Sequence, residues 1–423
     1  MLSQLKQAWK IKGVRSKILY TLMMITVFRI GATIPVPGVD SDVIKGMVGD
    51  NSLLSLYNML TGGAFSNFTL FALGIGPAIT ASIIIQLLTI GFESLEELQK
   101  SGEEGKKKIN KYTKYTALAL AFLQATAITL GIVRGALTEP DNVFFIITVI
   151  MTLVGASMFL MWIGDKITEK GLGNGSSIII FIGIISTVPN DIINIVAMIQ
   201  EGTLNISLAV LLAVIILLTI AAVTYIQEAV RKIPVQYAKR VVGRKMYGGQ
   251  SSHIPMKVNQ SGVMPVIFAS SLLAFPQTVA MFIGADAQAF VQTYLSPMET
   301  PGVFIYRTLE IFLIVFFAYF YTTVSFNTED IANNMKNNGG FVPGIRPGQP
   351  TIDYLNRILS RLTLAGALFL ACIVMVSAIS TYFMEIQVSL AGTSIIIVVG
   401  VALELKKQLE SNLVMRTYQG FLK

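Results

Sequence analysis

The chain has 423 residues, of which 53% are hydrophobic and only 13% charged, and its mean hydropathy is +0.66. A soluble domain of this length needs more polar surface than this composition supplies, so a soluble globular fold is excluded. We therefore expect lipid to be the main solvent of the protein. The formal net charge of +8 is informative mainly through its distribution along the chain.

Apolar runs of about 20 residues recur along the chain, and each is long enough to cross a hydrocarbon core of roughly 30 Å as a helix. Residues 2–17 are short, basic and amphipathic, which indicates no cleavable signal peptide and leaves insertion to the first span. In chain order, the predicted spans cover residues 18–34, 69–90, 115–133, 143–164, 176–199, 206–226, 261–283, 303–326, 362–383 and 388–405.

Lysine and arginine fall in alternate segments between these spans. The basic set comprises both terminal segments and the segments near 100–114, 166–170, 231–257 and 336–361. The other set is mostly acidic, with residues such as Asp40, Asp42, Asp141, Asp191, Asp286 and Glu299. Because cytoplasmic loops carry the excess of Lys and Arg, we predict an even number of spans, roughly ten, with both termini in the cytoplasm.

Ten spans divide into an N-terminal half, residues 1–200, and a C-terminal half, residues 201–423. With five spans each, the halves would have opposite orientations, as in inverted-repeat membrane folds, although the sequence shows no clear internal repeat. Helix breakers occur in the second span of each half, and such broken helices are typical of a pathway at the repeat interface. These breakers are Gly74, Gly76 and Pro77, and then Pro265 and Pro276.

The predicted spans hold few residues capable of chemistry. Arg29 and Glu310 are the clear ionisable residues, and each lies near enough to a span end to snorkel or pair locally. The one histidine, His253, and the one cysteine, Cys372, cannot form a multi-ligand metal site or a disulfide. We therefore predict no catalytic centre and no cofactor. A secondary solute transporter, the alternative function, would need a polar site at mid-membrane that the spans do not offer.

Four segments between or at the ends of the spans are informative. Residues 171–177, GLGNGSS, superficially resemble a phosphate-binding loop, but no strand precedes them and no lysine follows, so a tight inter-helical turn is favoured. Residues 51–67 are either a re-entrant piece lining a cavity or an ordinary outer loop. The long basic segments 227–260 and 327–361 are either docking surfaces for RNA phosphates or an acidic protein, or simply positive-inside loops.

Several motifs, in order along the chain, resemble the SecY family of channel subunits of the bacterial Sec protein translocon. They are FRIGATIPVPG (28–38), FALGIGPAITASIIIQLL (71–88), GEEGKKKINKYTKY (102–115), GLGNGSSIIIF (171–181), GGQSSHIPMKVN (248–259), FVPGIRPG (341–348) and AGTSIIIVVG (391–400). The resemblance implies an all-α membrane protein of ten transmembrane helices, with two inverted halves of five and a re-entrant plug helix near 53–66. It also implies a non-enzymatic channel that passes unfolded preproteins across the bacterial plasma membrane.

The resemblance also implies roles for individual residues. The pore ring would comprise Ile75, Ile79, Ile180, Ile267 and Ile397, with Ser176 at a sixth position where the family usually has isoleucine. The plug would comprise Tyr57, Asn58, Thr61, Gly62, Gly63, Ala64 and Phe65, and the lateral gate would include Thr80 and Phe275. Docking of the SecA motor ATPase or of ribosomal RNA would use Arg244, Lys245 and Arg346. Further implied partners are small SecE-like and SecG-like membrane subunits, signal peptides, nascent preproteins and membrane lipid.

Overall fold

The protein is described by a computed structural model that covers residues 9–50, 58, 61–237, 240–242, 245–247, 251–296, 302–384 and 392–421. In chain order, its helices are α1 Lys12–Gly31, α2 Ser41–Asp50, α3 Gly76–Gly91, α4 Glu93–Lys100, α5 Glu103–Gly131, α6 Val143–Lys170, α7 Gly175–Gln200, α8 Ile206–Glu228, α9 Met264–Ile283, α10 Ala285–Tyr294, α11 Gly302–Ser325, α12 Thr328–Asn337, α13 Gln349–Met384 and α14 Thr393–Phe421. The strands are β1 Val230–Tyr237, β2 Arg240–Val242, β3 Lys245–Tyr247, β4 Ser251–Lys257 and β5 Gly340–Phe341.

Each predicted span coincides with a helix: α1, α3, α5 to α9, α11, α13 and α14. Within the described ranges, 5 helical stretches are long and apolar enough to cross a membrane individually, and they correspond to α6, α7, α8, α11 and α13. The pair α3 and α4, bent by 102° at Phe92, raises that number to 6. The membrane-helical fold class is confirmed, and the total of ten spans stays a prediction.

Asparagine side chains define where several helices begin. Asn142 and Asn174 accept hydrogen bonds from the first free N–H groups of α6 and α7, and Asn327 does the same for α12. These amide oxygens satisfy backbone donors that would otherwise be unpaired at the helix start. The cap at Asn174 confirms that the glycine-rich segment before it is a turn between two helices.

Most of the predicted helix breakers lie before a helix or in its first turn, and not in the helix interior. The second span was predicted from residue 69, but residues 61–75 form turns and α3 begins at Gly76. Pro77 therefore lies in the first helical turn, where its missing N–H costs nothing, and so does Pro265 in α9. Pro276 lies inside α9 as expected, and Pro189 inside α7 is a further internal proline that the motif search missed.

The two basic segments fold together into a small sheet, which the all-helical prediction did not include. Strand β1 pairs antiparallel with β4 and with β5, so residues from both segments share one sheet. Ile233 and Val235 alternate inward from β1 and pack with Met335 and Leu355 in a separate hydrophobic core. We call the end of the helix bundle that carries this sheet the sheet end.

Helices α6 and α7 approach each other closely at two glycines. A side chain at Gly175 would overlap the backbone carbonyl of Gly164. We expect Gly175→Ala to destabilise the protein by about 1–3 kcal/mol, because backbone cannot yield as a flexible side chain can. The matched control is Gly155→Ala in α6, where the added methyl meets nothing within 4 Å. Thermal unfolding in detergent would contradict this expectation if both variants melted at the same temperature.

Candidate pore and lateral gate

Five isoleucines from both halves of the chain meet around one small cavity. Its volume is about 50 Å³, which is room for a few water molecules and not for a side chain of any size. The five are the predicted ring positions Ile75, Ile79, Ile180, Ile267 and Ile397, and each lies at the start of its helix or within the first two turns. Ile397 is 1% exposed, and aliphatic side chains from both halves share the lining of this cavity, which we call the constriction.

Ser176, the divergent sixth position, lies apart from these five. It occupies the first turn of α7, one helical turn before Ile180, and its N–H donates to Asn174 Oδ1 at 3.1 Å. The residues that line the cavity do not include it. Ser176 thus belongs to the helix cap in this structure.

The predicted plug lies directly against the constriction. Tyr57 is outside the described residues, and Thr61 to Phe65 form turns. Thr61 lines the cavity, and Ala64 belongs to the same buried cluster as the ring isoleucines. Asn58 organises the segment, because its carbonyl accepts the Gly63 N–H at 3.0 Å and its side-chain oxygen accepts the Ser66 N–H at 2.8 Å.

The plug segment rests on α7 through a contact between two glycines. Gly62 has a φ of +68°, and a side chain there would lie 2.5 Å from the Cα of Gly183. The Ser186 hydroxyl donates to the Gly183 carbonyl at 2.6 Å, and it lies 3.4 Å from the Gly62 carbonyl. Sequence reasoning missed Gly183 and Ser186, although small residues on an apolar helix are the usual signal for close backbone approach in membranes.

The two predicted gate residues line the same cavity from opposite halves. Thr80 lies on α3 and Phe275 on α9, and α9 packs against both α3 and α5. We call the contact of α9 with α3 and α5 the seam. Polar side chains line the cavity from both sides of the seam: Gln124 on α5, and Ser270, Ser271 and Thr278 on α9. Gln124 is buried, and its Oε1 has no hydrogen-bond partner among the described residues. The search for ionisable residues overlooked it because an amide carries no charge.

The predicted docking residues lie at the sheet end. Arg244 is outside the described residues, and Lys245 begins β3, opposite Val242 of β2. Arg346 is exposed on the loop after β5, and Val342 and Ile345 anchor this loop in the core beneath the sheet. The exposed Arg346 guanidinium is therefore carried by a loop that is held in place by its buried residues.

The buried charge in α11 is paired locally. Glu310 is 2% exposed, and Arg307 Nη1 donates to its Oε2 at 2.7 Å. This ion pair confirms the local role expected for Glu310. Among the described residues, no three His, Cys, Asp or Glu side chains group in a way that suits a metal ion.

A family model described as SecY matches residues 69–406. The chain is 43% identical to the protein translocase subunit SecY of Streptomyces scabiei over 100% of both chains. The chain belongs to the SecY family. It is also 42% identical to the SecY subunit of Rickettsia typhi, over 96% of this chain and 95% of that one.

Solved structures of SecY and Sec61 channels share the fold. A structure described as a protein-conducting channel aligns with a TM-score of 0.68 at 19% identity, over 94% of this chain and 92% of that one. Another, with a TM-score of 0.66 at 19% identity and the same coverage, is described as showing that the SecY plug domain stabilises the closed state and maintains a membrane seal. Canine Sec61 in a ribosome-channel complex aligns with a TM-score of 0.65 at 17% identity, again over 94% and 92% of the two chains.

The contact between Gly62 of the plug segment and Gly183 of α7 predicts that a larger residue at position 62 makes the resting channel leak ions. We expect Gly62→Ala to raise the resting ion conductance of the reconstituted channel several-fold, because the added methyl pushes the plug segment off Gly183. Gly63→Ala is the matched control: Gly63 also has a positive φ, of +83°, but its methyl would meet nothing within 4 Å. Equal conductance of the two variants in planar bilayers would show that backbone strain alone, and not the contact, explains any leak.

Proposed function

We propose that this chain is the central protein-conducting channel of the general secretory pathway in the bacterial plasma membrane. Unfolded preproteins pass through the isoleucine ring, and membrane segments leave sideways between α3 and α5 on one side and α9 and α11 on the other. The observation that carries this proposal is the meeting of five isoleucines from both halves around one cavity, with Thr61 of the plug segment and Thr80 and Phe275 of the seam in its walls.

An aliphatic constriction suits a pore that must pass many sequences. Water and ions leave a narrow apolar passage by dewetting, so such a ring blocks leakage without a charged barrier. Isoleucine side chains offer dispersion contacts but no directional hydrogen bonds, and a moving polypeptide therefore meets no strong binding site. The ring seals around the substrate and releases it at each step.

The seam between the halves has a mixed lining that suits a lateral exit. Apolar side chains from α3 and α9 close it toward the ring, whereas Gln124, Ser270 and Thr278 give it a polar edge. Such uncharged polar groups lower the free energy of wetting when the seam parts, and the unpaired Gln124 Oε1 makes the closed seam less stable than an apolar one would be. Signal peptides and membrane segments can thereby partition between the pore and lipid.

The sheet end faces the cytoplasm in this proposal, and both termini lie on that side. The basic segments that obey the positive-inside rule then also form the landing surface for the SecA motor or the ribosome. Arg346, and Arg244 with Lys245, would contact acidic protein or RNA phosphate there. SecE-like and SecG-like subunits would complete the complex within the membrane, and the partners would supply the chemical energy.

The ring assignment predicts conductance from a multiple substitution. Replacing Ile75, Ile180, Ile267 and Ile397 with glycine removes the aliphatic side chains that keep the constriction dry. We expect planar-bilayer recordings to show a resting ion current at least tenfold above that of the wild type. A variant with glycine at the outward-facing positions Ile192, Ile193 and Val196 of α7 controls for general helix weakening. A silent ring variant would overturn the proposed pore.

The docking surface predicts a transport defect without an insertion defect. We expect Arg346→Glu to reduce SecA-driven preprotein transport into vesicles by at least fivefold, because it puts a negative charge where an acidic partner surface would dock. Arg134→Glu makes the same charge change at an exposed residue outside both basic segments and should transport normally. Normal transport by Arg346→Glu would refute the docking role.

A further inference from the structure

The glycine-rich turn between α6 and α7, residues 171–174, uses its backbone N–H groups to bind other helices. The Leu172 N–H donates to Thr21 Oγ1 of α1 at 3.0 Å, and the Gly173 N–H donates to Gln408 Oε1 of α14 at 2.6 Å. These amides are occupied, so the turn does not act as a phosphate cradle. The bond to Gln408 is the notable one, because it joins the N-terminal half to the C-terminal half.

Shape complementarity accompanies this bond. Gly173 has a φ of +81°, and a side chain on it would lie 2.7 Å from Leu405 Cδ2 of α14. A glycine is required here both for its backbone conformation and for the approach of α14. The turn is therefore fitted to this helix.

One face of α14 continues the contact toward α1. Its members recur at the three- and four-residue spacing of a helical stripe: Leu405, Gln408, Leu409, Asn412 and Leu413. Lys17 Nζ lies 3.4 Å from Asn412 Oδ1, and Val14 packs against Leu413 and Leu409 in a small buried cluster. We call this stripe, together with residues 171–174 and the start of α1, the clasp.

Gln408 also lines a cavity of about 410 Å³ at the sheet end, together with Gln227, Lys257, Glu404, Lys407 and Ser411. The clasp therefore borders this cavity. The halves also meet where α9 packs on α3 and α5, which is the proposed gate. The clasp is thus a second contact between the halves, separate from this gate.

We propose that Gln408 is a positioning residue of the channel, whose bond to Gly173 holds the two halves in their closed relation at the sheet end. This proposal rests on the proposed function of the gate. When the bond is lost, the free-energy difference between closed and parted halves falls, and the parted state gains population. A positioning role of this kind changes gating without touching the substrate.

The test compares Gln408→Ala with two variants of the full-length protein, purified with its membrane subunits and placed in lipid. Gln408→Glu keeps an oxygen acceptor for the Gly173 N–H, whereas Thr21→Val removes the other bond to the same turn, which lies within one half. Hydrogen exchange of the peptide containing residues 171–178 measures how well the turn amides are protected by these bonds. Resting conductance in planar bilayers measures how far the channel is open, and the ring glycine variant is the positive control.

We expect Gln408→Ala to speed exchange of the turn and to raise resting conductance by about tenfold, because a buried donor loses its partner. Gln408→Glu should restore both, and Thr21→Val should speed exchange while leaving conductance at the wild-type value. Unchanged exchange in Gln408→Ala would overturn the clasp, and fast exchange with normal conductance would overturn its role in gating. A silent ring variant would instead overturn the proposed function and the gating role together, while exchange would still report the clasp.

Discussion

The apolar contact between the two halves at the isoleucine ring is the constraint on which the rest of the structure depends. In the proposed function, it excludes ions when the channel rests and yields when a polypeptide enters. Ring residues come from α3, α7, α9 and α14, so neither half can form the seal alone. The cavity at this point has a volume of about 50 Å³, so the side chains around it leave room for only a few water molecules while the halves are in contact.

Helix α7 supports this seal from one side, and it depends on glycine to do so. In lipid, apolar burial does not drive helices together, so packing relies on close approach and dispersion. Gly175 lets α7 touch the backbone of α6, and Gly183 lets it receive the plug segment at Gly62. Ile180 lies between these two contacts. The ring position on α7 is therefore held by backbone contacts on both sides.

The sequence predicted the helices well and the turns poorly, for a physical reason. A span is encoded locally by about 20 apolar residues, and each predicted run coincides with a helix. The start of α3 was misplaced, because residues 69–75 are as apolar as a helix yet form turns that depend on contacts far along the chain, such as Leu70 N–H to the Ile34 carbonyl. The shared sheet was missed for the same reason, since β1 and β5 are about a hundred residues apart.

At the site, family motifs predicted which isoleucines would meet, but they carried no information on what holds them there. Gly183, Gln124 and Gln408 have no charge and no motif of their own. Gly183 and Gln408 contact residues that are distant in sequence, Gly62 and Gly173, and Gln124 lines the cavity between the halves. A search limited to ionisable groups cannot find such residues.

The hydrogen bonds of the plug segment suit its proposed role, in which it closes the pore at rest and moves away when a polypeptide enters. Several run within the segment: Gly63 N–H to the Asn58 carbonyl, Ser66 N–H to Asn58 Oδ1, and the Asn67 side chain to the Gly63 carbonyl. The polar contact with α7 is weaker, because the Ser186 hydroxyl lies 3.4 Å from the Gly62 carbonyl and donates to the Gly183 carbonyl at 2.6 Å. In the proposed function, the segment can therefore move as a unit and keep its internal bonds, while an incoming polypeptide replaces its apolar contacts.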